Sequence, residues 1–433
     1  MGHATQQTVL GGVALIVSTR RQNRGATSRV GQTAVSVPAV PSLDIQTGIG
    51  RYPQRVRPAD SPKLFTDPPS SGHSSERKYV LRSADILMNR YAVRTRLGHG
   101  SFGTVVQAED KITGTLVAVK IFHKEEDTSL AIDTKQEERM WLRVQGGCSP
   151  YSELFAAVLD TGEFRGHHCV VFELCHGTMH DVFEGYMGLA PLPTRHVIEI
   201  AYQLIRGVEY LHTIGIIHTD LKPDNIAFAH PATTEVQWLD VSTGYHSKTI
   251  LVCPQITILD LGSAVDTSPG RKHFGRIAAQ SYRAPEVILG LPWSHWVDLY
   301  ATGCLIAELW LSRPLFLGNS VCDREHLAVV DRVISPFPEK YAREVNERIP
   351  GTFVITDKVT VEYPVGGIPL SRDEHGPPLQ RISAAAPVST RIHDISLCDL
   401  VSRLMSPDPE ARLALHWAAK HKFFDPLARL QLR

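Results

Sequence analysis

The sequence predicts an α+β fold in two lobes, a small lobe of mostly antiparallel strands with one helix and a larger, mainly helical lobe. Three observations predict it. Apolar and β-branched runs surround a glycine-rich turn near residue 100, the apolar run "HHCVVFELC" leads into a connector, and a long helical repeat follows it. We place the small lobe at 91–174 and the large lobe at 175–427.

Composition predicts a globular enzyme. The chain has 433 residues, of which 43% are hydrophobic and 21% charged, and its 45 basic and 45 acidic residues give no net charge. This balance does not indicate binding to nucleic acid or to a membrane. Seven scattered cysteines without a C-x-x-C pair predict free thiols in a reducing compartment. We therefore expect a cytoplasmic or nuclear monomer.

The first 75 residues differ from the rest. They are rich in Ser, Thr, Gly, Gln and Pro, and no acidic residue precedes Asp44. Such a composition cannot bury a core and predicts a disordered tail. The alternative is a mitochondrial targeting segment, which would also be rich in arginine and poor in acids.

The small lobe begins with "YAVRTRLGHGSFGTVVQAED" at 91–110, which predicts a strand, a glycine-rich turn and a second strand. The turn is Gly98-x-Gly100-x-x-Gly103, followed by Val105. A dinucleotide fingerprint would continue as a helix, but here a strand follows. The pattern therefore favours a glycine-rich lid whose N–H groups cover phosphate oxygens.

Lys120 ends the motif VAVK within the next predicted strand, "TLVAVKIF". After a glycine-rich hairpin, such a lysine is a candidate to hold the α- and β-phosphates. It needs an acidic partner, and the helical stretch that follows offers Glu137 and Glu138. Apolar residues three, four and seven positions after Glu137 share its face, so we predict Glu137.

A connector between the lobes and a long helix follow the small lobe. Backbone groups near Glu173, Leu174 and Cys175 would meet a flat aromatic ligand such as adenine. "TRHVIEIAYQLIRGVEYLHTIG" at 194–215 has helical spacing and is predicted to be a core helix that holds the next loop.

That loop is "GIIHTDLKPDNIAF", which places acids, an amide and a lysine between two apolar elements. Asp220 can accept a proton from an attacking hydroxyl, and Lys222 can neutralise charge on a transferring phosphoryl group. Asn225 offers a hard oxygen to Mg²⁺, and Asp260 in "ITILDLGSA" supplies a second one.

Together these motifs resemble a eukaryotic protein kinase. GHGSFGTV, VAVK, HTDLKPDN, DLG, APE, WVDLYATGCLIAEL and DPEAR occur in the family's order across 91–425. The resemblance implies a bilobal protein-kinase-like fold, with ATP and Mg²⁺ between the lobes and Lys120, Glu137, Asp220 and Lys222 in catalysis. It adds nucleotide contacts at the following positions: Leu97, Val105, Ala118. It also implies structural roles for Asp298 and for an Arg412–Glu286 pair.

The subgroup resembles the CMGC kinases, because Arg283 precedes APE. The HTD triplet resembles the SR-protein kinase and LAMMER-type clan. The segment "EHLAVVDRVISP" at 325–336 resembles the LAMMER signature, but departs from it at Val329, Val330 and Asp331. Resemblance to that clan implies that this chain phosphorylates serine and threonine in Arg/Ser-rich proteins. Basic substrates would need acidic residues for docking, and six carboxylates are candidates: Asp323, Glu325, Asp331, Glu339, Glu344, Glu347.

Thr219 stands where many kinases have an arginine that pairs with a phosphate on the activation segment. Threonine is neutral and too short for that pair. We therefore expect activity without such a phosphate, with polar contacts around Gln280 and Arg283 ordering the segment.

The stretches 231–255 and 351–392 lack a clear period, and we predict loop-like insertions in the large lobe. Two other functions compete with a protein kinase. A pseudokinase scaffold would lack at least one of Lys120, Asp220, Asn225 and Asp260, and a small-molecule phosphotransferase would lack APE and Arg412; all are present.

Overall fold

The structure is a computed structural model that describes most of the chain from residue 85 onward. The described residues are the following: 15–18, 82, 85–100, 103–123, 134–185, 188–230, 232–240, 244–267, 270–316, 322–363 and 378–427. Most of the predicted N-terminal tail lies outside them, so its disorder or targeting role stays a prediction. Within it the structure describes one strand, β1 (Leu15–Ser18), which pairs antiparallel with residues 235–238.

The small lobe is a six-stranded antiparallel sheet with one helix, as predicted. Its elements are β2 (Ile86–Leu87), β3 (Tyr91–His99), β4 (Gly103–Asp110), β5 (Leu116–Phe122), α1 (Thr134–Gln145), β6 (Val158–Phe164) and β7 (His167–Glu173). The strand order is β2-β3-β4-β5-β7-β6. The glycine-rich turn joins β3 to β4, and Lys120 lies on the central strand β5.

The two faces of this sheet are buried in different cores. Alternate residues such as Val106 and Val119 fill a core within the small lobe. On the other side, Met140 and Trp141 of α1 join the core that continues into the large lobe. The Trp141 ring meets Phe172 of β7 edge-on, with ring centroids 5.2 Å apart. The apolar face of α1 therefore fixes how the helix sits against the sheet.

The large lobe is mainly helical. Its helices are α2 (Met179–Phe183), α3 (Thr194–Thr213), α4 (Pro285–Ile288), α5 (Trp296–Leu311), α6 (Asp323–Val333), α7 (Glu339–Arg348), α8 (Pro378–Ala384), α9 (Val388–Arg391), α10 (Ile395–Leu404) and α11 (Leu415–Ala418). Almost every residue of α5 is buried, which is typical of a central core helix. No helix in the described part of the chain is long and apolar enough to span a bilayer.

Short strands frame the loops of the large lobe. They are β8 (Ile216–Ile217), β9 (Ile226–Phe228), β10 (Thr233–Asp240), β11 (Gly244–Leu251), β12 (Ile256–Ile258), β13 (Val265–Asp266), β14 (Phe353–Ile355) and β15 (Val359–Val361). β9 pairs with β12, and β8 pairs with β13. These two ladders hold the segments on either side of Thr219 and Asp260.

The expectation of loop-like insertions is wrong for much of both stretches. β10 and β11 form a hairpin from the Thr233–Leu251 pair to the Asp240–Gly244 pair. The second stretch contains the hairpin β14–β15 and the helices α8 and α9. The strands β10 and β11 mix polar with apolar residues, and β14 and β15 have only three residues each, so the apolar alternation that marks a half-buried strand is weak in both hairpins. Residues 364–377 lie outside the described part.

Candidate active site

Lys120 is the centre of a buried ion cluster between the lobes. Its Nζ donates to both carboxylate oxygens of Glu137 at 2.7 Å and to Oδ1 of Asp260 at 2.8 Å. Lys120 and Glu137 are buried, while about a third of the Asp260 side chain is exposed. β5, α1 and the segment after β12 therefore meet at one ammonium group.

The structure confirms Glu137, rather than Glu138, as the partner of Lys120. Glu137 lies on the buried face of α1, where the Trp141 indole N–H also donates to it at 3.3 Å. Glu138 points to β7 instead, with Oε2 3.2 Å from Nε2 of His168. The sequence indicated the face of Glu137 but gave no sign of the Trp141 bond.

The electrostatics of the cluster leave surplus negative charge. Burial opposes ionisation of Lys120, but its attraction to Glu137 and Asp260 outweighs burial and raises the pKa of the lysine. Burial also opposes ionisation of Asp260, yet Lys120 holds the pKa of that carboxyl below its usual value. Burial raises the pKa of Glu137, and repulsion by Asp260 adds to the rise. One cation serves two anions, so a further cation beside Asp260 would be favoured.

The loop after β8 brings the other predicted catalytic groups together. Lys222 Nζ donates to Oδ2 of Asp220 at 2.5 Å. The amide nitrogen of Asn225 donates to the backbone oxygen of Asp220 at 2.8 Å. The backbone oxygen of Asn225 accepts the N–H of Leu259, the residue before Asp260, at 2.9 Å. Asp220, Lys222, Asn225 and Asp260 thus belong to one connected site, as the sequence predicted.

Asp298 anchors this loop, as the resemblance implied. Its carboxylate accepts the backbone N–H of His218 at 2.8 Å and that of Thr219 at 2.9 Å, and His212 Nε2 lies 2.9 Å away. Burial opposes ionisation of Asp298, but the hydrogen bond with His212 contributes to a pKa below the usual value. A buried anion on α5 therefore fixes two consecutive amides of the loop. His212 was not identified from the sequence.

Thr219, at the position where many kinases have an arginine, makes a hydrogen bond that links two segments of the site. Its φ is +69°, and its hydroxyl donates to the backbone oxygen of Ser263 at 2.7 Å. The loop that carries Asp220 is thereby bonded directly to the segment that follows Asp260.

Gly262 is required beside the ion cluster. A Cβ atom there would lie 2.9 Å from Oε2 of Glu137 and 3.1 Å from Oδ1 of Asp260. No side chain fits without pushing these carboxylates apart. Its place two residues after Asp260, in the DLG motif, was the only sequence signal for this role.

The glycine-rich turn combines two different needs. A Cβ atom on Gly98 or Gly100 would meet no heavy atom within 4 Å, so these glycines leave room above the cleft. A Cβ atom on Gly103 would lie 2.4 Å from the backbone oxygen of Ile121 on β5. Gly103 is therefore needed for the close approach of two strands, which the sequence reading did not distinguish from phosphate contact. Half of Leu97 is exposed, and Val105 is partly buried.

The connector offers an open backbone edge. The N–H of Glu173 donates to Ala157, but within the described residues the backbone groups of Leu174 and Cys175 have no backbone hydrogen-bond partner. Ala118 lies on β5, paired with Phe172 immediately before Glu173. A flat ligand with donor and acceptor edges suits such a strip. The room at the glycines, Lys120 and this strip together fit ATP.

Asn225 and Asp260 fit a small divalent cation that is shared with phosphate. The amide nitrogen of Asn225 is engaged with Asp220, and Oδ1 of Asp260 with Lys120, so each side chain keeps one oxygen for a metal. Among the described residues, no cluster of three or more His, Cys, Asp or Glu side chains could hold a metal alone. An incomplete set of hard oxygens is what Mg²⁺ uses when phosphates and water complete its shell.

The segment from Asp260 to Glu286 is held by buried ion pairs. Arg412 donates to both oxygens of Glu286 at 2.7 Å, which confirms that implied pair. Arg283 donates to the carbonyls of Ile277 and Ala278 and pairs with Asp323 at 3.1 Å. The predicted ordering role of Arg283 therefore has a structural basis.

Three of the six carboxylates in the docking cluster predicted from the sequence are used in internal contacts, whereas Glu339, Glu344 and Glu347 are exposed on α7. Asp323 pairs with Arg276 as well as Arg283. Glu325 is buried and accepts the hydroxyl of Tyr363 at 3.1 Å. Asp331 is partly buried and accepts the backbone N–H of Phe337. These three carboxylates are therefore not free to bind a basic substrate. The partners of Asp323 and Glu325, which are distant in the sequence, could not be predicted from it.

Comparison with known proteins agrees with this geometry. The protein kinase domain family matches residues 91–424. Dual specificity protein kinase CLK1 of Mus musculus is 32% identical over 357 residues, which cover 82% of this chain and 70% of that protein. Dual specificity protein kinase lkh1 of Schizosaccharomyces pombe is 29% identical, covering 82% of this chain and 50% of that protein. Serine/threonine-protein kinase AFC2 of Arabidopsis thaliana is 28% identical, covering 82% of each.

A solved structure supports the fold. The crystal structure of another kinase domain superposes with a TM-score of 0.68 at 22% identity, covering 81% of this chain and 100% of that one. The curated relatives confirm the predicted place beside the LAMMER-type kinases of the CMGC group. The chain belongs to the protein kinase family, and it is an enzyme that uses ATP and a divalent metal to phosphorylate proteins.

Proposed function

We propose that this kinase transfers the γ-phosphoryl group of ATP to serine and threonine hydroxyls of proteins, with Mg²⁺ as its metal. The observation that carries the proposal is the complete, connected cluster of Lys120, Glu137 and Asp260 with Asp220 and Asn225 beside it. A protein that had only a scaffolding role would have no need to keep these groups in contact.

Each group has a role that its contacts support. Glu137 orients Lys120, whose ammonium would hold the α- and β-phosphates. Asp220 would accept the proton of the attacking hydroxyl, and Lys222, already at its carboxylate, would offset charge on the transferred group. Asn225 and Asp260 would hold Mg²⁺, which supplies a positive charge against the phosphate oxygens. Positioning and electrostatics account for most of the rate in this reaction class.

Arg/Ser-rich proteins are the substrate class that the resemblance favours. Asp224 is exposed beside Lys222 and Asn225, where it could attract an arginine of the substrate. Arg271 and Lys272 are also exposed, on the segment between Asp260 and Glu286, and would favour acidic flanks instead. The balance between these exposed charges would therefore help to decide which peptides the kinase prefers.

The test is phosphate transfer from labelled ATP to matched peptides. We would compare an Arg/Ser repeat peptide with an acidic peptide of the same length, with Mg²⁺ or with a chelator, followed by phosphoamino-acid analysis. We expect Mg²⁺-dependent phosphoserine or phosphothreonine, with the Arg/Ser peptide preferred and the preference reduced in Asp224→Lys. Preference for the acidic peptide would reject the Arg/Ser assignment alone. No transfer to any peptide would reject the proposed activity.

A further inference from the structure

Arg143 joins three elements around the active site. It lies in the last turn of α1, the helix that carries Glu137. Its guanidinium forms an ion pair with Asp266 of β13 and donates to the backbone oxygens of Ile214 and Gly215, which directly precede β8. One side chain thus ties α1 to both strands of the β8–β13 ladder.

These two strands lead into the groups that perform the chemistry. β8 continues into His218, Thr219 and Asp220, and β13 follows the stretch from Asp260 to Ser263. The N–H of Thr267 also donates to Gly215 at 2.9 Å, so the ladder closes next to the guanidinium. A movement of α1 relative to this ladder would therefore move Glu137 relative to Asp260.

Gly215 independently indicates that the guanidinium has a built position. Its φ is +73°, and a Cβ atom there would lie 3.1 Å from Nη2 of Arg143 and 3.1 Å from the backbone oxygen of Thr267. A side chain at this position would be strained and would crowd the arginine against the segment. The chain thus leaves space for Arg143 where the turn needs a positive φ.

A second contact holds the same helix near its other end. The side-chain amide of Gln136 donates to the backbone oxygen of Ala264 at 3.3 Å. Gln136 and Arg143 lie on either side of Glu137, and both bind the segment at 264–266. In a rigid helix that rises about 1.5 Å per residue, two such anchors limit both tilt and translation of the glutamate between them.

The energy of the ion pair itself is small. The side chains of Arg143 and Asp266 are 42% and 57% exposed, and exposed pairs contribute little to folding stability. The bonds from Arg143 to the backbone oxygens of Ile214 and Gly215 fix the orientation of the helix more than they add to stability, because a planar guanidinium donates in fixed directions. Loss of Arg143 would therefore affect geometry at Glu137 more than the stability of the fold.

We propose that Arg143 is a positioning residue of this kinase. By tying α1 to the β8–β13 ladder, it keeps Glu137 against Lys120 and Asp260 without requiring a phosphate on the segment from 264 to 283. The inference rests on the proposed phosphoryl transfer, and it adds a role for a residue outside the cleft.

The first test compares Arg143→Ala with Leu142→Ala, an exposed neighbour on the same helix. We expect kcat to fall about tenfold in Arg143→Ala with little change in the KM of the peptide, since substrate groups are not removed. The melting temperature should stay within a few degrees of wild type in both variants. Equal kcat in Arg143→Ala and wild type would overturn the proposal.

Trp141 supplies a readout that does not depend on activity. Its indole N–H donates to Glu137, so displacement of α1 should change its fluorescence. The Trp141 signal, obtained by subtracting spectra measured with Trp141→Phe in each background, should shift in Arg143→Ala but not in Leu142→Ala. An unchanged signal together with lowered kcat would show that Arg143 acts by another route and would also overturn the proposal.

Rescue separates positioning from a general loss of structure. Arg143→Lys keeps the charge opposite Asp266 but donates to fewer carbonyls, so we expect partial recovery of kcat. The exchange Arg143→Asp with Asp266→Arg should recover more activity than Arg143→Asp alone. If neither recovers activity, the proposed contact is not the cause; if Arg143→Ala fails to fold, these two variants decide the matter. Absence of transfer by wild type would instead reject the proposed function.

Discussion

At the scale of single residues, the site depends on backbone conformations that are costly elsewhere. Thr219 and Asp260 both have a left-handed φ, +69° and +61°, and such residues cost on the order of 1–3 kcal/mol. Asp298 offsets this at Thr219 by accepting two consecutive amides. Lys120 and the N–H of Gly262 do so at Asp260. Five other non-glycine residues of the described part also have a positive φ, and Thr219 and Asp260 are the two that lie at the acids of the cleft.

The glycines of the turn should respond differently to alanine. Gly103→Ala should lower the melting temperature by several degrees, because its Cβ would lie 2.4 Å from a backbone oxygen of β5. Gly100→Ala should leave the melting temperature nearly unchanged, since its Cβ would meet nothing within 4 Å. Thermal unfolding of both variants is the measurement. Equal stability of the two variants would contradict the distinction.

At the scale of elements, the β8–β13 ladder links the catalytic loop to the segment that follows Asp260. The Thr219 hydroxyl bonds to Ser263 across it, and Arg283 holds the far end of the segment through Ile277 and Ala278. Neutral hydrogen bonds and an internal arginine thus occupy the place of an arginine–phosphate pair. The described parts of the segment are thus bonded to the catalytic loop at one end and held by Arg283 at the other.

We therefore predict activity without phosphorylation of this segment. Protein produced in bacteria and treated with a phosphatase should keep its kcat within about threefold of the untreated protein. The assay is transfer from labelled ATP before and after treatment, with mass spectrometry to verify removal. A loss greater than about tenfold, roughly 1.4 kcal/mol of transition-state stabilisation, that is restored by rephosphorylation would contradict the role given to Thr219.

Glu308 couples α5 to the same segment and should make stability depend on pH. Burial raises its pKa to about 7, although the N–H of Leu315 and the hydroxyl of Tyr282, 2.8 Å away, both favour its anion. Its ordinary value is 4.5. Between these two pH values the folded protein keeps a proton on Glu308 that the unfolded chain has lost. The contribution of Glu308 to the free energy of unfolding is therefore greatest below pH 4.5 and falls as the pH rises to about 7.

The variant Glu308→Gln tests this coupling, because glutamine resembles the protonated acid. Wild type should lose stability on the order of 3 kcal/mol from this group between pH 4.5 and 7, and the variant should lose much less. Denaturant unfolding at several pH values provides the comparison. Identical pH slopes in the two proteins would show that Glu308 does not carry this titration.

At the scale of the whole molecule, the sequence predicted the lobes and the catalytic set because phosphoryl transfer needs fixed residue types in fixed local contexts. Lys120 and Glu137 could be paired from the helix face, and the acids of the loops from their neighbours. Contacts between distant positions could not be predicted: Arg143 binds Asp266, and Asp323 is taken by Arg276 and Arg283.

The insertions show the same limit for elements. The hairpin β10–β11 contains polar residues in both strands, so no period distinguishes it from a loop. The role of Gly103 became visible only once β5 was beside it. Local patterns therefore specified the chemistry, whereas tertiary packing determined which charges and glycines remain available for it.

The central claim is that Asp260 serves phosphoryl transfer rather than folding. The most direct measurement is the rate of transfer from labelled ATP by Asp260→Ala, beside Asp357→Ala as an exposed control on the β14–β15 hairpin. We predict loss of at least about a thousandfold in Asp260→Ala, because the charged metal ligand is removed. Asp260→Ala should still unfold cooperatively, at a temperature several degrees below that of wild type because the bonds of this carboxylate to Lys120 and Gly262 are lost, and the control should keep full activity and stability. Near-normal turnover in folded Asp260→Ala would contradict the account.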